Sequence, residues 1–472
     1  MEKELFENEE ITSSVELLTE DLSELAVKAE ELFSARNYTE LRGLLSELPA
    51  VDLAELFAEL DPVSRPLVFR LLPKETAAAG FSEMEGEVQE GLIASFSDKE
   101  LTSILEEMYL DDTVDMIEEM PAAVVKRIIR AASPEARGDI NRLLRYDGDT
   151  AGALMTTEYV RLRPAMTVGD ALSHIKNVAI DKETIYTCYV TDENRHLLGI
   201  VTAKALLISD AALPLSEIME EKVIFVHTED DREECARMFD KYGFIALPVV
   251  DREMRLVGIV TVDDAMEVMR EETEEDFSKM AAITPTETPY LRTSVLTLLK
   301  SRIPWLLLLM ISATFSSMIL GSFEAALPAV LVLFVPMLMD TGGNSGGQAS
   351  VTVIRSLSLG EVRKRDVLRV MWHEMRIGIL AGLILGVVAF GKVMLIDYLI
   401  MGNPAVTVTV GVIVAIAMAF TVIIAKLMGA SLPILSAAVG LDPAVMASPV
   451  ITTLVDAIAL LLYFTIAGAM LA

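Results

Sequence analysis

The sequence predicts a multidomain chain: an α-helical solenoid, a pair of α/β modules, an acidic connecting helix and an all-α transmembrane domain of five helices. Three observations carry that prediction. Breaker residues recur about every twelve positions between residues 52 and 147, a longer strand-and-helix repeat follows from Gly152, and apolar runs fill the C-terminal third. Charge divides along the same boundary. The net charge is −31, yet from Ser301 onward eight acidic residues stand against nine basic ones, which leaves 62 acidic against 30 basic in the first 300 positions. The acidity belongs to the soluble part. It argues against nucleic acid and anionic membrane surfaces as partners and in favour of cations, although solubility alone would also account for it.

Residues 1–35 read as an acidic arm. Glu2, Glu4, Glu7, Glu9 and Glu10 with no long apolar core do not resemble a signal peptide, so insertion rests on the C-terminal helices. Residues 36–150 form the solenoid. Punctuation at Asp61-Pro62, Pro73, Glu85-Gly86, Ser97-Asp98, Asp111-Asp112, Pro121 and Ser133-Pro134 separates short helices with apolar residues three and four apart, such as Leu53, Leu56, Phe57 and Leu60. Helices this short cannot bury a face alone, so they stack. Glu55, Glu59, Glu118 and Glu119 on the outer face read first as solvated surface. Cys188 and Cys235, the only cysteines, support neither a disulfide framework nor a thiolate metal site and suit a reducing compartment.

Residues 151–266 contain two copies of a β-α-β-β-α pattern, each closing on Leu-x-Gly-Ile-Val-Thr at Gly199 to Thr202 and Gly258 to Thr261. The repeat resembles a pair of CBS modules. That resemblance implies a sensor rather than a catalyst, and it places Thr261 and Asp264 where a CBS module holds the phosphate and ribose of an adenosine nucleotide such as ATP. Ala205 replaces the aspartate in the first copy, so one nucleotide site at most is expected. A purely structural dimerisation module is the alternative. Residues 267–290 are the connecting helix and linker. Glu267, Glu271, Glu272, Glu274, Glu275 and Asp276 crowd one short stretch, and like charges this close oppose folding unless a cation neutralises them. The segment leads through Pro285 and Pro289 into the first span, a position suited to transmitting a sensor state; a solvated linker is the bland reading.

Residues 291–472 hold five apolar runs, at about 303–320, 325–339, 377–396, 406–427 and 448–471. Four are long enough to span and the second needs its flanks. Lys300 and Arg302 precede the first run, Arg355, Arg363, Lys364, Arg365, Arg369 and Arg376 lie between the second and third, and Lys426 closes the fourth. This bias puts the N-terminus in the cytosol of a multi-pass plasma or inner-membrane protein. The stretch from Glu361 to Met375 reads as an interfacial amphipathic helix. Asp456 lies inside the last apolar run, and an ionisable group at that depth marks an ion path, a cavity or a partner; a structural hydrogen bond to a neighbouring helix is the competing reading. Pro433, Pro443 and Pro449 precede it, and with Asp442 and freed carbonyls they suggest oxygen ligands for a hard cation. Gly342, Gly343, Asn344, Gly346, Gly347 and Gln348 would allow close helix approach or backbone ligands.

The order of parts, with G-G-N-S-G-G-Q and L-D-P-A…S-P…T-T-L-V-D in the membrane region, resembles the MgtE family of magnesium channels from about Ala50 to the C-terminus. The resemblance implies a homodimer in the bilayer with Mg2+ at Asp456 and a pore-mouth carboxylate at Asp442, and Asn344 and Thr452 complete the expected pore set. It also implies Mg2+ bound between solenoid, CBS pair and connecting helix that locks the pore. Asp263, Asp264, Glu267, Glu271, Glu272, Glu274 and Glu275 are the candidate ligands there, with Glu59 on the solenoid. Two readings stand beside it: transport of another divalent ion such as manganese or cobalt, and a nucleotide-responsive sensor whose helices only anchor it. An enzyme is not expected. The sequence shows no glycine-rich phosphate loop with lysine and no nucleophile elbow, and His174, His196, His227 and His373 are scattered.

Overall fold

The computed structural model describes residues 22–179, 182–286, 290–291, 293–324 and 328–471. Most of the expected acidic arm, and Pro289, lie outside them. The chain divides into two bodies, one up to Met269 and one from Arg270. The division falls inside a single helix, Val262–Met280.

The first body opens with short helices, beginning at Leu22–Ser34 and Tyr38–Glu47 and ending at Ala122–Ala131 and Pro134–Leu143. Leu22–Ser34 belongs to the stack: Leu25 and Ala29 are buried in the same core as Leu53, Leu56, Phe57 and Leu60. The breakers act as helix starts. Pro49, Pro73 and Pro121 each precede a first turn, and Ser97 forms a capping box in which its Oγ accepts from Glu100 N–H while Glu100 Oε2 accepts from Ser97 N–H. Phe57, Phe69, Phe81 and Phe96 form the aromatic centre, with Phe69 5.7 Å from Phe57, 6.0 Å from Phe81 and 5.2 Å from Phe96 between ring centroids. Arginines tie helices of the stack by donating to carbonyls near their C-terminal ends: Arg65 to Leu60 O at 2.9 Å, Arg70 to Ser95 O at 2.9 Å and Arg137 to Ile129 O at 2.8 Å.

Each of the two modules that follow has a three-stranded sheet with one parallel and one antiparallel pairing. The strands are Tyr159–Leu162, Thr184–Thr191 and Leu197–Thr202, then Val226–His227, Ala246–Val250 and Leu256–Thr261. The opening segment of each module pairs with the last strand of the other. Thr156 exchanges backbone hydrogen bonds with Ile259 at 2.8 and 2.9 Å, and Glu220 with Ile200 at 2.9 and 3.0 Å. This exchange explains the glycine in both Leu-x-Gly-Ile-Val-Thr motifs. A Cβ on Gly258 would lie 2.7 Å from Thr156 O and one on Gly199 2.9 Å from Glu220 O, so only glycine admits the crossing segment. Cys188 and Cys235 are free and buried. Met155, Phe239, Val260 and Ala265 join the solenoid core, so the second module and the helical stack share one apolar interior.

The second body is helical. Four helices among the described residues are long and apolar enough to cross a membrane: Val295–Phe323, Lys364–Ile400, Val408–Ala438 and Pro443–Leu471. The remaining expected span differs from its sequence reading. It starts as a tight turn, Ala329–Phe334, and becomes the helix Val335–Ser358, which runs straight through the glycine cluster. The carbonyls there are used by the helix itself, so the glycines serve close approach rather than backbone ligation. At Gly429 of Val408–Ala438 a Cβ would stand 2.1 Å from Gly346 O, and at Gly346 a Cβ would stand 2.8 Å from Ile451 Cγ2. The expected interfacial helix also differs: after a short turn at Lys364–Asp366 it is the beginning of Val367–Lys392, because no proline or glycine interrupts the chain before Gly378. Tyr463 donates to Leu331 O at 2.9 Å and Ser350 to Met446 O at 2.7 Å, which fixes the last helix and its preceding turn against the second.

Candidate cation sites

In the first body the carboxylates gather where the solenoid meets the CBS-like pair. Helix Leu110–Glu119 presents Asp111, Asp112 and Asp115, which fall near one face by their spacing of three and four. Facing them are Asp263, Asp264 and Glu267 from the first turns of Val262–Met280, whose charges act on Asp112, Asp115 and Glu83. Burial and then the Asp264 charge push Asp112 up to about 7 and Asp115 up to about 8. Asp111, only 6% exposed, is raised well above the carboxylate range by burial and by Asp264, Glu183 and Asp112. Asp264 is pushed up to about 6, chiefly by burial, although Thr261 Oγ1 donates to its Oδ2 at 2.5 Å. These acids resist sharing the site while ionised.

Three of them could hold a metal. Ligand oxygens of Asp111, Glu158 and Glu183 lie within 4.8 Å of one another. Glu158 Oε2 also accepts from Leu110 N–H at 3.1 Å, while Glu183 Oε2 is buried without a hydrogen-bond partner. Burial and then the charges of Asp263 and Asp264 push Glu183 up to about 8. An all-oxygen set with an orphaned buried oxygen suits a hard divalent cation.

Asp263, Asp264 and Glu267 are expected from the sequence and brought together by the structure, whereas Glu83, Asp111, Asp112, Asp115, Glu158 and Glu183 are not expected from it. Asp111-Asp112 was visible only as punctuation; the available signal was the spacing that sets Asp115 beside them. Glu59 is exposed at the end of Ala50–Glu59, and the solenoid acids coupled by charge to the module carboxylates include Glu83, Asp111, Asp112 and Asp115. Glu271, Glu272, Glu274 and Glu275 belong to the second body.

In that second body Asp456 stands in the third turn of Ser448–Leu471, half-buried, with its Oδ1 enclosed and lacking a hydrogen-bond partner. Thr452 lies one turn before it on the same helix, and Gly343 packs so closely that a Cβ there would meet Thr452 Cγ2 at 2.6 Å. Asp340 of Val335–Ser358 acts electrostatically on Asp456 and accepts from Asn344 Nδ2 at 3.2 Å. Asp340, Asn344 and Gln348, four residues apart, expose a polar stripe on one helix face of the single chain. Asp340 was not singled out from the sequence; its place four residues before Asn344 is the signal that could have found it. Asp442 is apart from this group. It starts the turn Pro443–Met446, its Oδ1 accepting from Ala444 N–H at 2.8 Å, and its Oδ2 meets Lys279 Nζ at 2.6 Å.

Fold and carboxylates together define a membrane protein of the divalent-cation transporter class, with an acidic soluble body joined to an apolar helical one. Family profiles agree: the divalent cation transporter domain matches residues 335–466, the MgtE intracellular N domain residues 48–149, and the CBS domain residues 151–211 and 215–271. The magnesium transporter MgtE of Thermus thermophilus is 38% identical over 452 residues, covering 95% of this chain and 98% of that protein. The Bacillus subtilis magnesium transporter MgtE is 31% identical, covering 91% and 94%. The solved structure of the soluble part of a magnesium transporter, 32% identical, covers 53% of this chain and 99% of its own with a TM-score of 0.50. The chain belongs to the MgtE family.

Proposed function

We propose that this chain is a magnesium channel, a homodimer in the plasma or inner membrane with its N-terminus cytosolic, which conducts past Asp456 and is closed by cytosolic Mg2+. The observation that carries the reading is the Asp456 carboxylate, set in an apolar helix with one enclosed oxygen unpaired and Asp340 beside it. Magnesium dehydrates reluctantly and usually keeps several waters, so carboxylates, Asn344 and Thr452 would bind it through that water shell. A two-fold axis would bring the exposed stripe of Asp340, Asn344 and Gln348 opposite its copy and line a path with both.

Regulation follows from the first body. Crowded acids at Asp111, Asp112, Asp115, Asp263, Asp264 and Glu267 repel while ionised; Mg2+ would hold them together, and its loss would let the solenoid separate from the module pair. Glu271, Glu272, Glu274 and Glu275 continue the same helix toward the membrane body and would carry that change to the pore. ATP at Thr261 and Asp264 is the second ligand we assign; acids around Asp264 oppose a triphosphate unless a cation accompanies it.

The test is Mg2+ flux into liposomes by wild type and Asp456→Ala, with cytosolic-face Mg2+ varied. Wild-type flux that millimolar Mg2+ shuts, and that the variant loses, is the expected result. A variant conducting like wild type would make Asp456 structural and refute the pore assignment.

A further inference from the structure

The last turns of Val262–Met280 lie against the membrane helices within the second body. Ser358 Oγ donates to Asp276 Oδ2 at 3.1 Å, and Met280 packs on the small apolar cluster of Ile354, Ala444 and Ala447. Between these contacts is Lys279. Its ammonium meets Glu275 Oε1 at 2.5 Å on its own helix and Asp442 Oδ2 at 2.6 Å on the turn Pro443–Met446. The other oxygen of Asp442 is already engaged by Ala444 N–H at 2.8 Å. Both oxygens of the pore-mouth carboxylate therefore have partners. A cation arriving at Oδ2 competes with the ammonium for the same oxygen, and one arriving at Oδ1 shares it with the backbone cap that shapes the turn.

We infer that Lys279 is a tethered cation built into the gate, which occupies Asp442 and Glu275 when no divalent ion does and so restrains the connecting helix on the pore mouth at low magnesium. This rests on the channel reading above and adds a residue to it. The geometry suits competition. An ammonium is a compact charge on a flexible stem, already at the site and needing no capture from solution, whereas Mg2+ carries twice the charge but approaches with its waters. Lys279 is thus a positioning residue for the gate: it sets how much flux escapes before Mg2+ closes the channel. With it removed, Glu275, Asp276 and Asp442 face one another without an internal counter-charge, and closure depends on the divalent ion alone.

Two measurements on the full chain in lipid test this. Carbodiimide coupling joins an amine to a carboxylate only at contact, so the Mg2+-free protein should yield a Lys279–Asp442 amide by peptide mass spectrometry, and millimolar Mg2+ should diminish it. Absence of that product in Mg2+-free protein overturns the contact. In liposomes, Lys279→Gln should raise flux several-fold at low cytosolic Mg2+ and steepen its closure by added Mg2+, while Lys279→Arg stays near wild type. Coupling product together with unchanged Lys279→Gln flux overturns the gating role and leaves a structural ion pair. Should wild type carry no Mg2+ at all, the channel reading fails by itself, and the coupling result still decides whether Lys279 holds Asp442.

Discussion

Asp112→Asn tests whether the acids of the first body are held together against their own repulsion. Burial, then the charges of Asp264, Glu83 and Asp263, push Asp112 from an ordinary 3.8 up to about 7. Three units correspond to about 4 kcal/mol if the group titrated alone, and coupling to its neighbours reduces the share of this one charge to about 2 kcal/mol. The sign is fixed by proton linkage. A carboxyl whose folded value lies above its unfolded one binds more protons when folded, so its stabilising contribution is full below about pH 4 and is lost as pH rises through about 7. At about pH 8 without divalent ions the helix Leu110–Glu119 should therefore open easily, and Mg2+ should protect it; at about pH 5 protons already do so. Amide hydrogen exchange of that helix in the full chain, compared with Mg2+ and with chelator at each pH, reads the effect. Asp112→Asn should raise protection in chelator at the higher pH about 30-fold, the equivalent of about 2 kcal/mol, and change little at the lower. Equal protection by Mg2+ at both pH values, or no gain in the variant, would refute the reasoning.

Two further outcomes follow from close packing and from charge. Gly429→Ala places a methyl 2.1 Å from the Gly346 carbonyl, a backbone atom that cannot swing aside, so the helical body should lose about 1–3 kcal/mol or more and melt measurably earlier in detergent. Melting at the wild-type temperature would show that the two helices have room to part. ATP titrated into the full chain should bind with Mg2+ present and weakly or not at all in chelator, read by calorimetry; equal binding in both would mean that the acids around Asp264 do not face the nucleotide.

Periodicity made much of the fold legible. Leu53, Leu56, Phe57 and Leu60 are buried as their spacing predicts, and the two Leu-x-Gly-Ile-Val-Thr motifs end matching sheets. What the glycines in those motifs do was not legible, because Gly258 answers to Thr156 and Gly199 to Glu220, partners set by the exchange between modules. The membrane region shows the same limit. Composition marks Gly342 to Gly347 as unusual, but whether they end a helix or let one approach depends on Gly429 and Ile451, about eighty to a hundred residues away. Asp456 stands out because a charge in an apolar run is anomalous by itself, whereas the spacing that marks Asp340 and Asp111 is weak until another element brings a further carboxylate to them.

The two acidic regions are built on opposite terms, and that contrast bears on how they act together. Where the solenoid meets the module pair the chain raises the proton affinity of Asp111, Asp112, Asp115 and Asp264 first by burying them and then by crowding them, which makes the assembly responsive to any cation that arrives. At the turn Pro443–Met446, the proposed pore mouth, it supplies its own cation, Lys279, to Asp442. A gate governed only by the first arrangement would loosen once Mg2+ fell, since the carboxylates left facing one another repel and only the shared apolar interior opposes them. With Lys279 holding the far end of the helix that starts at Asp263 and Asp264, release at the sensor has to overcome a second, ion-independent restraint before the mouth clears. That order, sensor first and latch second, predicts that Lys279→Gln and Asp112→Asn shift closure in opposite directions: the first variant should leak at low Mg2+, and the second, relieved of one repulsive charge, should stay closed at lower Mg2+ than wild type. The same liposome flux assay reads both, and shifts in the same direction would refute that order.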